Sequence, residues 1–207
     1  MLKIYGRANS INVRKVLWAA DEVGVPFTRE DWGRGFRATS EPEFLKLNPF
    51  GVVPVVDDEG LVLRESHAIS RYLAAKHGRT DLYPTDLVQR AKVDAWMDWG
   101  QTDLYQGARA PFLGLIVKQP AFQDPKQIEF SVNEWNNQMK LLDQHLAANG
   151  PYLMGDSFTL ADVPAGLVVN RWFSIPFDKP DLKAVAAYYD RLGERPAYRA
   201  HGRNGTP

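Results

Sequence analysis

The 207-residue chain contains no cysteine. That absence excludes disulfides, thiolate metal sites, a catalytic thiol and dithiol redox chemistry of the protein's own, and it fits a reducing compartment. No apolar run approaches the ~20 residues that span a bilayer. The opening MLKIYGRANS lacks the charged segment and long apolar stretch of a secretory leader. A soluble, cytoplasmic protein with no membrane partner is expected. An excess of one charge is missing too, since 25 Lys plus Arg balance 25 Asp plus Glu. Basic clusters are lacking and aromatics do not alternate with Lys or Arg, so nucleic acid is not an expected partner. The chain has no G-x-G-x-x-G or G-x-x-x-x-G-K phosphate loop and no G-x-S-x-G elbow. Its histidines, His67, His77, His145 and His201, form no i, i+4 pair and have no acidic partner at ligand spacing, so no metal is expected.

What is present is an ordinary globular composition, 44% hydrophobic and 24% charged, in a chain long enough for one large domain or two small ones. Residues 2–5 read as a strand ended by Gly6. In the following NSINVRKVLWAADEVG, Val13, Val16, Leu17 and Ala20 fall at helical spacing, Asn9 or Ser10 can cap the start, and Gly24 stops the helix. Residues 27–31 read as a second strand, 33–40 as a polar loop and 41–47 as a short helix. NPFGVVPVVDDEGLVLRES reads as strand, turn and strand, and 66–77 as a helix ended by Gly78. The order βαβ then αββα predicts a mixed four-stranded, thioredoxin-like sheet over residues 1–79. Beyond a Gly- and Pro-containing junction the period changes. Residues 85–114, 124–148, 159–173 and 181–193 read as helices of an all-helical domain, 85–207, with a mobile tail after His201.

Three motifs in this order resemble the cytosolic glutathione transferases over nearly the whole chain. They are Y-G-R-A-N-S-I-N-V-R-K-V from Tyr5, N-P-F-G-V-V-P from Asn48 with E-S-H-A-I from Glu65, and G-D-S-F-T-L-A-D from Gly155. The first is similar to the theta, delta and bacterial nu-like groups, where a Ser or Thr at this helix start serves the thiol. Absence of cysteine there disfavours the omega and beta groups, and the Ser-Cys run of the zeta isomerases is missing. Tyr5 lies inside the strand and matches the alpha, mu and pi tyrosine poorly.

The resemblance implies an enzyme that binds glutathione as co-substrate, with no permanently bound cofactor, and directs its thiolate at a small hydrophobic electrophile. A homodimer is also implied. Lowering a thiol pKa of ~8.5 by ~2 units takes about 2.7 kcal/mol of preferential thiolate binding, and a hydrogen bond to a charged group supplies roughly 1.5–3 kcal/mol. Ser10 is the first candidate donor, Asn12 the second and Asn9 the third; locally, Ser10 or Asn9 reads equally as a helix cap. Val53-Pro54 is expected to be cis in this fold, with Val53 pairing with the cysteinyl backbone of glutathione. Ser66 and the helix start suit the γ-glutamyl carboxylate and Glu65 its ammonium, although both also read as a cap and a first-turn acid. His67 follows where a ligand contact is possible. Arg34 or Arg37 could meet the glycyl carboxylate, and Phe112 and Trp172 could line the electrophile pocket. Thr159 and Asp162 read as a structural capping box. Two rival functions use the same fold: glutathione-dependent reduction of peroxides or disulfides, and a non-catalytic binding or scaffold role.

Overall fold

Leu2 and Ile4 alternate with Lys3 and Tyr5, so a strand places the first pair on one face. In the computed structural model, which describes all 207 residues, this segment is β1 (Leu2–Tyr5). It continues through α1 (Ile11–Val23) into β2 (Phe27–Glu30), which pairs parallel to β1. A parallel neighbour requires a crossover, and α1 supplies it. After α2 (Pro42–Leu47) come β3 (Val55–Asp58), antiparallel to β1, β4 (Leu61–Arg64), antiparallel to β3, and α3 (Ser66–Lys76). The strand order β2-β1-β3-β4 is the mixed, thioredoxin-like sheet expected from the sequence. These elements form one unit, Met1–Tyr83.

Alternation gives each face of this sheet its own core. Leu2, Ile4 and Val56 pack with Val13, Val16, Leu17 and Ala20 of α1 and with Ile69 and Leu73 of α3. Tyr5 and Val55, one residue out of phase, lie instead with Trp32 and Phe44. Gly24 ends α1 at φ 83°, its N–H shared between the carbonyls of Ala20 and Asp21, a left-handed cap that glycine adopts without a Cβ penalty. Register then fixes where the chain leaves the sheet. Tyr5 pairs with Glu30 on one side and with Val55 on the other, and Val55 pairs with Arg64. Segments 6–12, 31–37, 53–54 and 65–67 therefore all adjoin one row at one edge of the sheet.

The second unit, Pro84–Pro207, is helical. It contains α4 (Leu87–Gln101), α5 (Asp103–Pro111), α6 (Pro125–Asn149), α7 (Asp162–Ser174), α8 (Lys183–Gly193) and α9 (Pro196–His201), with a π-helical turn at Phe112–Ile116. The continuous helix expected over 85–114 is broken at Thr102 (φ −96°, ψ −94°), whose hydroxyl donates to the Asp98 carbonyl at 3.0 Å. At Gly107, α5 meets α6 so closely that a Cβ would stand 2.8 Å from Trp135 Cα. Trp135, Met139, Leu142 and Leu146 turn the buried stripe of α6 inward at helical spacing. α7 is buried from Asp162 to Trp172. The tail, expected to be mobile, folds back on α7, where Asn170 Nδ2 donates to Thr206 O at 2.9 Å and Arg171 Nη2 to Pro207 O at 3.5 Å. Trp18, Trp32, Trp135 and Trp172 are fully buried. Trp96 and Trp99 are half-buried and, with Ala95, Leu141 and Leu142, line an apolar pocket of ≈ 380 Å³. No helix is long and apolar enough to cross a membrane.

Candidate active site

The sheet edge described above gathers the singled-out residues of the first unit. After β1, the N–H groups of Gly6 and Arg7 donate to the carbonyls of Glu30 and Trp32, and the Ser10 N–H donates to Arg7 O at 3.1 Å. Ser10 occupies the N-cap position of α1 in extended conformation (φ −85°, ψ 124°), and its carbonyl takes the first helical bond, from Arg14. Its hydroxyl makes no capping hydrogen bond. The local reading of Ser10 as a cap is thus met in backbone position and not in side-chain bonding. Ser10 is buried at 9% exposed, Asn12 is half-buried and Asn9 is exposed. Asn12 Oδ1 accepts from Lys15 Nζ at 3.2 Å.

The Val53-Pro54 peptide bond is cis. Asn48, itself buried, secures this loop by donating from Nδ2 to Val52 O at 2.8 Å and accepting at Oδ1 from the Phe50 N–H at 3.2 Å. Val53 makes no backbone hydrogen bond. A Cβ built on Gly6 would lie 3.1 Å from Val53 Cβ, so the two loops touch.

At the third segment, Glu65 is the N-cap of α3 and Ser66 its first helical residue. This corrects the simplest sequence reading, in which Ser66 was the cap. Glu65 has φ 69° and ψ 114° and makes no side-chain capping bond, a conformation that costs a non-glycine residue roughly 1–3 kcal/mol. Its carboxylate is exposed and stands 3.6 Å from Arg64. Ser66 is buried, and the first-turn N–H groups of α3 have no partner within the helix. His67 is buried with Nε2 unpartnered. Burial first, then the charges of Lys15 and Arg71, push its pKa down to about 2, so the ring is neutral.

The remaining candidates are held differently. Arg37 pairs with Glu41 at 3.0 Å and with Glu43, and its guanidinium lies 3.8 Å above the Trp32 ring. Arg34 is exposed. Sequence reasoning passed over Arg7, which is half-buried beside Gly33; burial, then the charge of Arg34, lowers its pKa. In the helical unit, Phe112 is half-buried under the Arg171 guanidinium at 3.8 Å. Trp172 is 1% exposed and donates from Nε1 to Asn136 at 2.9 Å, which places it in the core. The pocket beside Trp96 and Trp99 depends on Leu141 and Leu142, over forty positions away, and no local pattern announces it. Arg171 was passed over too. No three His, Cys, Asp or Glu side chains group as metal ligands.

Thr159 and Asp162 form the capping structure at the start of α7. Asp162 Oδ2 accepts the Thr159 N–H at 2.9 Å and Oδ1 the Leu153 N–H at 3.0 Å and the Tyr188 hydroxyl at 3.0 Å. The Thr159 hydroxyl accepts from the Ala161 N–H at 3.3 Å, one residue earlier than a reciprocal box requires. Burial pushes the Asp162 carboxyl up to about 6 against the pull of those donors.

Comparisons with known proteins agree along the whole chain. Residues 1–75 match the family model of the glutathione S-transferase N-terminal domain, and residues 108–196 that of its C-terminal domain. The chain is 34% identical over 201 residues to glutathione S-transferase GstB of Escherichia coli K12, covering 96% of each. It is 32% identical over 206 residues to glutathione S-transferase 3 of Zea mays, covering 95% of this chain and 91% of that one. A solved structure of the theta class glutathione S-transferase from Xanthomonas axonopodis pv. citri, with glutathione bound, superposes with a TM-score of 0.90 at 40% identity, covering 97% of this chain and 96% of that one.

Proposed function

The chain belongs to the glutathione S-transferase family, and we propose that it conjugates glutathione to small hydrophobic electrophiles through a thiolate formed at the start of α1. The observation that carries this reading is the Ser10 hydroxyl, which sits at a helix N-terminus with no capping bond to make. It can donate to the glutathione sulfur, where the helix dipole also favours negative charge. Asn12 is the second donor, and Asn9 flanks the turn. The thiol proton leaves to solvent and the sulfur forms a bond to the electrophilic carbon. A halide departs, or an enone accepts the electron pair and is protonated. No bond to the enzyme forms, so catalysis is thiolate stabilisation plus proximity.

Glutathione itself is held along the same edge. Its cysteinyl backbone pairs with the N–H and C=O of Val53, ahead of Pro54, as an added strand would. Its γ-glutamyl carboxylate meets the Ser66 hydroxyl and the first N–H groups of α3, and its ammonium meets Glu65. His67, being neutral, offers the ligand a ring nitrogen without adding charge. Arg37 reaches the glycyl carboxylate only by giving up Glu41 or Glu43. In the helical unit the half-buried Phe112 ring is the candidate to line the electrophile pocket, whereas Trp172, sealed in the core, is not. A homodimer follows the family habit, and lack of cysteine supports a cytoplasmic location.

Calorimetry of glutathione binding tests the reading. Wild type binds, and Ser66→Ala binds roughly 10- to 100-fold more weakly, the loss of one hydrogen bond to a charged group. If wild type does not bind at millimolar glutathione, the reading fails.

A further inference from the structure

Asn12 is ambiguous as a donor to sulfur, because its amide has a donating and an accepting end. An amide oxygen turned toward a thiolate would repel it. The structure contains the element that decides between the two orientations. Lys15 lies one helical turn beyond Asn12 on the same face of α1, is fully buried, and donates from Nζ to Asn12 Oδ1 at 3.2 Å. An ammonium has three donors and no acceptor, so it can meet only the oxygen of the amide. The Nδ2 group must then point away from Lys15, and no protein acceptor engages it. The charge of Lys15 also acts on His67, in the first turn of α3.

We propose that Lys15 is a positioning residue of the thiol site: its buried ammonium locks the Asn12 amide so that Nδ2–H, not oxygen, is presented to the glutathione sulfur. This rests on the reading of Asn12 as a thiol donor. It goes further in assigning a function to a lysine that meets neither glutathione nor electrophile, and in predicting coupling between the two side chains.

The test is the pKa of bound glutathione, read as thiolate ultraviolet absorbance against pH in full-length variants. Lys15→Met raises it by about one unit, and Lys15→Arg, also a pure donor, restores most of the shift. In an Asn12→Ala background, Lys15→Met adds nothing further. A purely structural lysine would lower stability equally in both backgrounds and leave the thiol pKa in place. No shift in Lys15→Met overturns the proposal, as does an equal shift with and without Asn12. Should Lys15→Met not fold, Lys15→Gln decides, since its amide can donate or accept and leaves the Asn12 amide free to turn. A thiol pKa raised above that of Lys15→Arg supports the proposal; an unchanged one overturns it. If bound glutathione titrates in wild type as it does in water, the thiolate reading itself fails and takes the inference with it. A normal low thiol pKa with no dependence on Lys15 overturns the inference alone.

Discussion

Three helix starts in this protein treat their polar side chains in opposite ways. At the start of α7, both oxygens of Asp162 and the Thr159 hydroxyl are filled by Leu153, Thr159, Ala161 and Tyr188. At the starts of α1 and α3, neither Ser10 nor Glu65 makes a side-chain capping bond, and Glu65 is held at φ 69°. A helix start closed by its own side chains stabilises the fold. One left open keeps donors available for a ligand.

The largest effect that could break this contrast is at the closed start. Asp162→Ala leaves two buried N–H groups and the Tyr188 hydroxyl without their acceptor, at about 1–3 kcal/mol each. A loss of at least about 3 kcal/mol in urea unfolding is expected, with glutathione affinity of the folded fraction unchanged. The same carboxyl gives a pH signature. Its pKa rises from the ordinary 3.8 to about 6 on folding, so between those values the folded state holds a proton that the unfolded state has released. Stability attributable to Asp162 therefore falls as pH rises through that window and levels off above it. Asp162→Asn, compared across pH, flattens that slope.

Next in size is Ser10→Ala at an open start. It raises the pKa of bound glutathione by about 1–2 units, yet changes stability by less than about 0.5 kcal/mol. Loss of a working cap would cost about 1 kcal/mol, and a cost of that size in thermal or urea unfolding would place Ser10 with Thr159 instead. The smallest effect concerns Glu65. Its positive φ makes Glu65→Gly more stable than Glu65→Ala by about 1 kcal/mol, while both weaken glutathione binding in the same calorimetric assay.

Much of the fold was legible because local patterns carried it. Leu2 and Ile4 announced a strand, Val13 through Ala20 a helix, and Gly24 its end, and their order implied the mixed sheet. The break at Thr102 was not legible: Gln101, Thr102 and Asp103 carry neither Gly nor Pro, and the break is a matter of backbone angles. The tail looked mobile because its anchors, Asn170 and Arg171, lie 36 positions away. Of the candidate site, the positions Ser10, Val53 and Ser66 could be named from motifs. That the Ser10 hydroxyl makes no capping bond and that Lys15 grips Asn12 are facts of side-chain direction, and that Glu65 rather than Ser66 precedes the helix is one of backbone angles. Residue identity alone does not encode them.

The distribution of indoles gives the protein a built-in spectroscopic partition. Trp18, Trp32, Trp135 and Trp172 are sealed in the cores, while Trp96 and Trp99 border the pocket between α4 and α6. A water-soluble quencher such as iodide can therefore reach two emitters and leave four dark to it until the chain unfolds. Fluorescence separates into a fraction that reports on that one patch of the helical unit and a larger fraction that reports on the integrity of both cores.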